Sequence, residues 1–533
     1  GRARQGRATG LESGAITAFP AVVMSPLPPT APMSHEIELK LTLPQKSLAA
    51  LRRHPLIADA PREGRTCTLE NTYFDTPELE LRERRMAVRT RKAGSRWLQT
   101  VKCAAESTGG LSSRPEWEQP FANGSFDFSA IDRDEVRSRL ESLLPHLVPV
   151  FTTRFKRETC VLSPREGVRV LAMIDSGTIE AKGQSRPLCE LELELVEGDP
   201  RDLYALALQL AEGLPLTPEN VSKAERGYRL FSNHALRPAK ARPSRLSAEQ
   251  SPVDAFRIIG FDCLSLWQAN ESGARESDDP EFIHQLRVAL RRLRSALRLF
   301  GPALPAEFVE RWSDGLKEAA DGLGAARDLD VMLAEVLSPV AESGLADEAT
   351  QRLIAMAVDR RDREKTAARE QLLAASHGRQ MLALASDLYA LQSDSLVKSA
   401  NLTTFARLQL TQLRKRARKR YGAAADLHPD KLHELRVSLK RLRYGIEFLL
   451  PLLPEKATVR FANDIADIQE TLGYLNDEAV ARTRLKAWAG KDPELRSGAA
   501  FVAGWHAPRI ARLRRNILPA LEPILWGKAP WRR

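Results

Sequence analysis

The feature that most constrains this chain is a recurring strand pattern whose polar face carries charges of both signs. In Cys189-Glu190-Leu191-Glu192-Leu193-Glu194-Leu195, three glutamates share one face and the leucines the other, because successive side chains of a strand point to opposite sides. His35-Glu36-Ile37-Glu38-Leu39-Lys40-Leu41 sets Glu36, Glu38 and Lys40 against Ile37, Leu39 and Leu41. Val88-Arg89-Thr90-Arg91 aligns two arginines, and Leu98-Gln99-Thr100-Val101-Lys102 ends in a lysine. Arg114-Pro115-Glu116-Trp117-Glu118 aligns a cation with two carboxylates. One such face alone can be a solvated sheet surface. Adjacent carboxylates repel unless a cation offsets them, so acidic and basic faces recurring together predict a barrel with a charged lumen and an apolar outside covered by helices. Carboxylates in such a lumen would hold hard divalent cations through oxygen. Lysines and arginines would hold phosphate oxygens, arginine often bidentately. No P-loop or GxGxxG is present, so phosphate would be held by side chains rather than a glycine cradle.

The pattern is confined to one part of the chain. Residues 1–32 are rich in Arg, Gly, Ala and Pro without periodicity and read as a disordered extension. Residues 33–232 read as short alternating strands, and 233–250 as a basic, proline-bearing linker. From 251 to 527 the period changes to long amphipathic helices rich in Ala, Leu and Arg. A chain of 533 residues is too long for one core. No apolar run reaches the roughly 18 residues a membrane span needs. The five cysteines are scattered without metal-ligand spacing and read as free thiols of a reducing, cytoplasmic setting. A net charge of +11 favours an anionic partner.

Residues 34–231 resemble the CYTH family, the triphosphate tunnel metalloenzymes, which include thiamine triphosphatases, class IV adenylyl cyclases and bacterial inorganic triphosphatases. The resemblance rests on Glu36-x-Glu38-x-Lys40, Tyr73-Phe74-Asp75-Thr76-Pro77, Arg89 with Arg91, Trp97 to Lys102, and Arg114-x-Glu116-x-Glu118. Arg154 with Arg157, Asp175-Ser176-Gly177, Glu190 to Glu194 and Ser222-Lys223-Ala224-Glu225-Arg226-Gly227-Tyr228 complete it. It implies an eight-stranded antiparallel tunnel that hydrolyses inorganic triphosphate with Mg²⁺ or Mn²⁺. Glu36, Glu38, Lys40 and Glu116 would be catalytic. The phosphates would be gripped by Lys40, Arg89, Arg91 and Lys102, together with Arg114, Arg154, Arg157 and Lys223. The metal would be held by Glu36, Glu38, Glu118 and Asp175, the choice among Glu190, Glu192 and Glu194 staying open. Cyclase, thiamine triphosphatase and non-catalytic scaffold remain the alternatives.

The helical half contains an internal repeat. His284-Gln-Leu-Arg287-Val-Ala-Leu-Arg291-Arg292-Leu-Arg294 aligns without a gap with His433-Glu-Leu-Arg436-Val-Ser-Leu-Lys440-Arg441-Leu-Arg443. The same offset carries Leu323-Gly324-Ala325-Ala326-Arg327-Asp328 onto Leu472-Gly473-Tyr474-Leu475-Asn476-Asp477. Duplication of a helical unit follows, with halves at about 252–400 and 401–527. At roughly 100° per residue, His284, Arg287, Arg291, Arg294 and Arg298 share one face opposite the leucines. His433, Arg436, Lys440 and Arg443 repeat it. Solvated helix faces usually mix signs, whereas these are almost purely cationic and call for an anion. This half resembles the CHAD domain, an antiparallel helical bundle of two pseudo-symmetric halves, which implies inorganic polyphosphate as ligand. Nucleic acid is not expected, because the basic faces lack base-stacking aromatics. The overall expectation is an α+β chain: a tunnel followed by an all-α bundle with internal duplication.

Overall fold

A strand polar on one side and leucine-rich on the other must bury its leucines somewhere, and here it buries them outward. The computed structural model describes residues 34–103, 107–122, 124–233, 235–392 and 401–532. Of Ser34, His35, Glu36, Thr108, Arg114 and Arg532 it describes the backbone only. The 1–32 extension lies outside the described residues.

The N-terminal strands are β1 (Ser34–Thr42), β2 (Cys67–Asp75), β3 (Met86–Ala93), β4 (Arg96–Cys103) and β5 (Ser107–Thr108). Then follow β6 (Leu111–Pro120), β7 (Val148–Leu162), β8 (Arg169–Ala181), β9 (Gln184–Glu197) and β10 (Thr217–Pro218). The order β1-β9-β8-β7-β2-β3-β4-β6 closes into a ring through the β1–β6 pairing, and every pairing is antiparallel. The expected eight-stranded tunnel is therefore present, with the two-residue β5 and β10 added at its rim. Closure matters because it leaves no long edge to pair with another chain.

On the outer side, Leu39, Leu41, Leu191 and Leu193 are fully buried. They belong to one core with Leu203, Tyr204 and Leu206 of the Pro200–Leu210 helix. That core does not stop at the domain boundary. It continues through Leu264, Trp267, Leu286 and Leu388 of the helical half, so 33–232 and 251–527 are packed together rather than strung on a free linker. Segment 233–250 is itself pinned: Ser244 and Leu246 are buried, and Asn270 hydrogen-bonds both the N–H and the C=O of Ala239.

The helical half is built of packed helices, among them Pro252–Glu276, Glu281–Phe300, Ala375–Ala390, Pro429–Leu449 and Glu455–Ala489. The two helices that carry the repeated basic sequences pack against each other. Arg292, the buried member of the first copy, braces that contact by pairing with Glu447 and lying 4.8 Å over the Phe448 ring. Segment 393–400 of the first half lies outside the described residues. No described helix is long and apolar enough to cross a membrane, and all five cysteines are free thiols.

Candidate functional site: a charged tunnel and a basic helix pair

The strand alternation delivers its charged faces to one cavity of ≈ 600 Å³ inside the ring. Glu38 and Lys40 come from β1, Arg89 and Arg91 from β3, and Lys102 from β4. Glu116 and Glu118 come from β6, Arg157 from β7, and Glu192 and Glu194 from β9. Lys223 enters from the first turn of the Lys223–Ser232 helix, whose N-cap Ser222 accepts from the Glu225 N–H.

Within the cavity the charges pair in two zones. In the first, Lys102 lies 2.5 Å from Glu116, Arg89 lies 3.8 Å from the same carboxylate, and Arg91 lies 3.4 Å from Glu118. Arg91 also donates to Asn71 at 2.9 Å, and Thr100 donates to Glu118 at 3.0 Å. Burial and the neighbouring Arg89 pull Arg91 down to about 10, which records cations crowded beyond what the nearby carboxylates offset. Burial alone would raise the Tyr73 phenol. Arg89, hydrogen-bonded to it at 3.3 Å, with Arg91 and Lys102 nearby, brings it below its ordinary value.

The second zone is denser. Lys223 lies 3.0 Å from Asp175, 2.6 Å from Glu190 and 2.7 Å from Glu192. Arg157 lies 2.6 Å from both Asp175 and Glu192, and Arg226 pairs with Glu190. Against the cost of burial, Lys223, Arg157 and Lys40 hold the Glu192 carboxyl well below the usual range. Asp175 and Glu190 have no exposure and do not line the cavity. They are the floor that charges and positions Lys223 and Arg157.

These positions refine the residue expectations. Arg154 is not brought to the cavity; its side chain is 70% exposed and pairs with Glu70 at 3.0 Å. Arg154 and Arg157 are an odd number of residues apart, so a two-residue period sends them to opposite faces. Glu36 and Arg114 are register partners on β1 and β6, and their side chains lie outside what is described. For the divalent cation the resemblance implies, the donor chemistry fits at Glu38 and Glu194. These are directly paired positions of β1 and β9, both at the cavity wall, and they offer hard oxygen ligands. Asp175 and Glu190 are held more tightly and away from the cavity, by Lys223, Arg157 and Arg226 at 3.0 Å or less, whereas Glu38 meets Lys40 at 3.5 Å and accepts from Ser112 at 3.2 Å. Among the described residues no group of three or more candidate ligands converges on one point.

Several cavity residues escaped the sequence reading as site residues, among them Tyr73 and Glu219. Tyr73 stood in a quoted motif but was given no role. Glu219 follows β10 in a turn outside the strand pattern; burial lifts its carboxyl above the usual range.

The basic helix faces form a second site. Lys440 is pulled down to about 7 by burial and then by Arg436 and Arg291, the latter from the other copy. His284 is pulled to about 4 by burial and Arg327, with Arg291 and Lys440 adding to it. The two copies therefore share one field. Among the described residues neither Arg291 nor Lys440 makes an ion pair, and the buried Nε atoms of Arg287, Arg291 and Arg436 are unpartnered. Arg298 and Arg294 extend the patch toward Arg441. Not every member is open: Arg287 donates to the Ala320 carbonyl at 3.0 Å, and Arg443 pairs with Glu447 at 2.7 Å. His433 contacts Asn476 at 2.5 Å.

The second repeated segment, which had no role in the sequence, supports the first. A Cβ on Gly324 would stand 3.0 Å from the Arg287 guanidinium, and one on Gly473 would stand 3.7 Å from that of Arg436. The first contact is tight and the second an ordinary van der Waals distance, so each repeated glycine lies against its repeated arginine and only Gly324 leaves room that a Cβ would crowd. Arg327 and Asn476, missed as site residues, come with it.

Comparison with known proteins follows the same division. The CYTH domain model matches residues 34–228 and the CHAD domain model matches 259–486. An inorganic triphosphatase of Haemophilus influenzae is 29% identical over 211 residues, covering 38% of this chain and 57% of that protein. The match thus spans little more than half of that relative. An uncharacterised protein of Mycobacterium tuberculosis is 26% identical over 457 residues, 79% of this chain and 82% of its own. The crystal structure of the CHAD domain from Ricinus communis, 29% identical, covers 56% of this chain and 99% of its own at a TM-score of 0.48.

Proposed function

From a chain that carries a CYTH domain followed by a CHAD domain, we propose an inorganic triphosphatase whose helical half binds inorganic polyphosphate. The observation that carries the first part is the cavity itself, where Lys40, Arg89, Arg91 and Lys102 face the same space as Glu38, Glu116 and Glu194. Polyanion binding alone has no use for those carboxylates. The related inorganic triphosphatase supports the same reading.

In this reading the cations of β3 and β4 hold the oxygens of the phosphate chain, with Glu116 keeping Lys102 and Arg89 oriented before substrate arrives. Lys40 and Lys223 reach the chain from the opposite zone. Glu38 and Glu194 would hold Mg²⁺ or Mn²⁺, joined by Glu36, two residues before Glu38 in the sequence. Such an ion neutralises phosphoryl charge and acidifies a bound water. The oxygen of one water bonds to the terminal phosphorus, the bridging P–O bond breaks, and pyrophosphate leaves with the bonding pair. The water's proton passes to Glu116, a cavity carboxylate that does not hold the metal. Positioning and charge neutralisation supply most of the acceleration.

The test is phosphate release from tripolyphosphate, ATP, thiamine triphosphate and long polyphosphate, each with Mg²⁺, Mn²⁺ or EDTA. Tripolyphosphate should be the best substrate, and EDTA should abolish turnover. Glu38→Gln should lose at least about tenfold in kcat through metal affinity, and Arg91→Ala a similar factor through KM. Cyclic AMP formed faster than tripolyphosphate is hydrolysed would replace this reading with the cyclase one.

The polyphosphate site carries its own pH signature. Lys440 titrates at about 7 among Arg436, Arg291 and Arg443, with Asp477 opposing them, and a bound anion favours its protonated form. Polyphosphate affinity should rise as pH falls toward 7 and level off below it, with proton uptake on binding above 7. Calorimetry in buffers of different ionisation enthalpy would show this, and a flat profile would remove Lys440 from the site.

A further inference from the structure

The wall of the phosphate cavity is not made by the tunnel domain alone. Along the Pro252–Glu276 helix, Ser265, Gln268, Ala269 and Ser272 line the same cavity as Lys40, Arg89 and Lys223. Their spacing of three and four places them on one helix face. A hydrogen-bond chain holds that face in place. Asn220 accepts from the Gly110 N–H at 2.8 Å and donates to Gln268 at 2.6 Å, and Gln268 donates to the Pro218 carbonyl at 2.9 Å.

The β5–β6 turn, Gly109-Gly110, is the contact point. Both residues have positive φ, at 62° and 86°, as a two-residue hairpin turn of this kind requires. A Cβ on Gly109 would meet Ala385 at 2.7 Å and Leu264 at 3.5 Å, both from the helical half, and one on Gly110 would meet the Lys40 carbonyl at 2.9 Å. The turn is thus packed against both the Pro252–Glu276 and the Ala375–Ala390 helices.

The chemistry of this wall differs from the rest of the cavity. The tunnel strands present Lys40, Arg89, Arg91, Lys102 and Arg157 to the cavity interleaved with carboxylates, whereas the four helix residues carry no charge, and both polar ends of Gln268 are used in the latch. We infer that this helix face of the second domain sets substrate length: a phosphate chain is held where the tunnel cations reach, and a further phosphate unit would be driven against an uncharged wall. The inference rests on the triphosphatase reading and names Ser265, Gln268, Ala269 and Ser272 as its specificity-determining residues. An uncharged surface beside additional phosphate charge supplies no counter-charge and takes away solvent, so each unit placed there loses more than it gains.

The test uses the full chain with tripolyphosphate and tetrapolyphosphate as paired substrates. Ala269→Arg and Ser272→Arg place a cation on the wall at exposed positions, where folding should tolerate it. Each should raise the ratio of kcat/KM for tetrapolyphosphate over tripolyphosphate about tenfold, the value of one charge-assisted contact. Ser313→Arg puts the same charge on the second domain outside the cavity wall and should leave the ratio where it was. An unchanged ratio in folded Ala269→Arg and Ser272→Arg, with wild-type tripolyphosphate turnover intact, overturns the length assignment alone. An equal rise in Ser313→Arg also overturns it, because the effect would then be long-range steering. A wild type that turns over neither chain sinks the triphosphatase reading and this inference with it.

Discussion

Lys223→Met should lower the stability of the tunnel domain by about 3–5 kcal/mol, the usual result of removing one partner from a buried ion cluster. Lys223 is the cation shared by Asp175, Glu190 and Glu192, and its own side chain is 8% exposed. Methionine fills similar volume without charge, so three carboxylates are left with only Arg157, Arg226 and Lys40. The same cluster fixes how wild-type stability depends on pH. Glu192 is held below its ordinary value, so its contribution is complete above about pH 4.3 and is lost as pH falls toward its folded value. Lys223 is raised, so its contribution is complete below about pH 10.4 and is lost as pH rises through its folded value. Thermal midpoints across pH 3 to 7, about the range over which carboxylates titrate, should therefore fall steeply with acid in the wild type. In Lys223→Met they should fall less. An equal midpoint for the two proteins at neutral pH would show that the cluster contributes nothing net. The experiment also separates two roles for Asp175 and Glu190: structural partners of Lys223 lose stability when changed to amides, whereas metal ligands lose metal affinity.

The second large effect is a trade between stability and binding. Arg291→Gln combined with Lys440→Gln should weaken polyphosphate binding by about 100-fold, two charge-assisted contacts at roughly tenfold each. The same pair should stabilise the folded protein by about 1–2 kcal/mol near neutral pH, because both cations are half-buried beside like charges with no carboxylate paired to them. These positions are better suited to the test than Arg287. Arg287 braces the Ala320 carbonyl and packs tightly against Gly324, so changing it would mix packing with affinity. Binding should also fall steeply with salt in the wild type and less steeply in the variant, in proportion to the phosphates neutralised. A variant that is more stable yet binds as tightly would make the basic face a surface without a ligand.

The sequence carried the tunnel because a closed antiparallel barrel obeys one rule that a linear text can express. Period-two alternation decides which side chains face in, and in β1, β3, β6 and β9 it put Lys40, Arg91, Glu116 and Glu194 in the cavity. The rule also contained its own correction, since parity alone separates Arg154 from Arg157. The helical duplication was legible for a similar reason: helix period and an ungapped offset are local properties.

Three things were settled only by tertiary structure, and each depends on distance through space rather than along the chain. Asp175 and Glu190 looked like Glu38 and Glu194 in the sequence, yet Lys223, from a helix beyond the last long strand, pairs with the first two and turns them into a buried base. Gly324 showed its purpose only when the Arg287 guanidinium was seen to lie 3.0 Å from where its Cβ would stand. The segment 233–250 reads as a linker by its prolines and charges, but composition describes what a segment does when nothing binds it. Asn270 and the buried Leu246 hold it down, one apolar core runs through both halves, and the second domain becomes part of the cavity wall of the first.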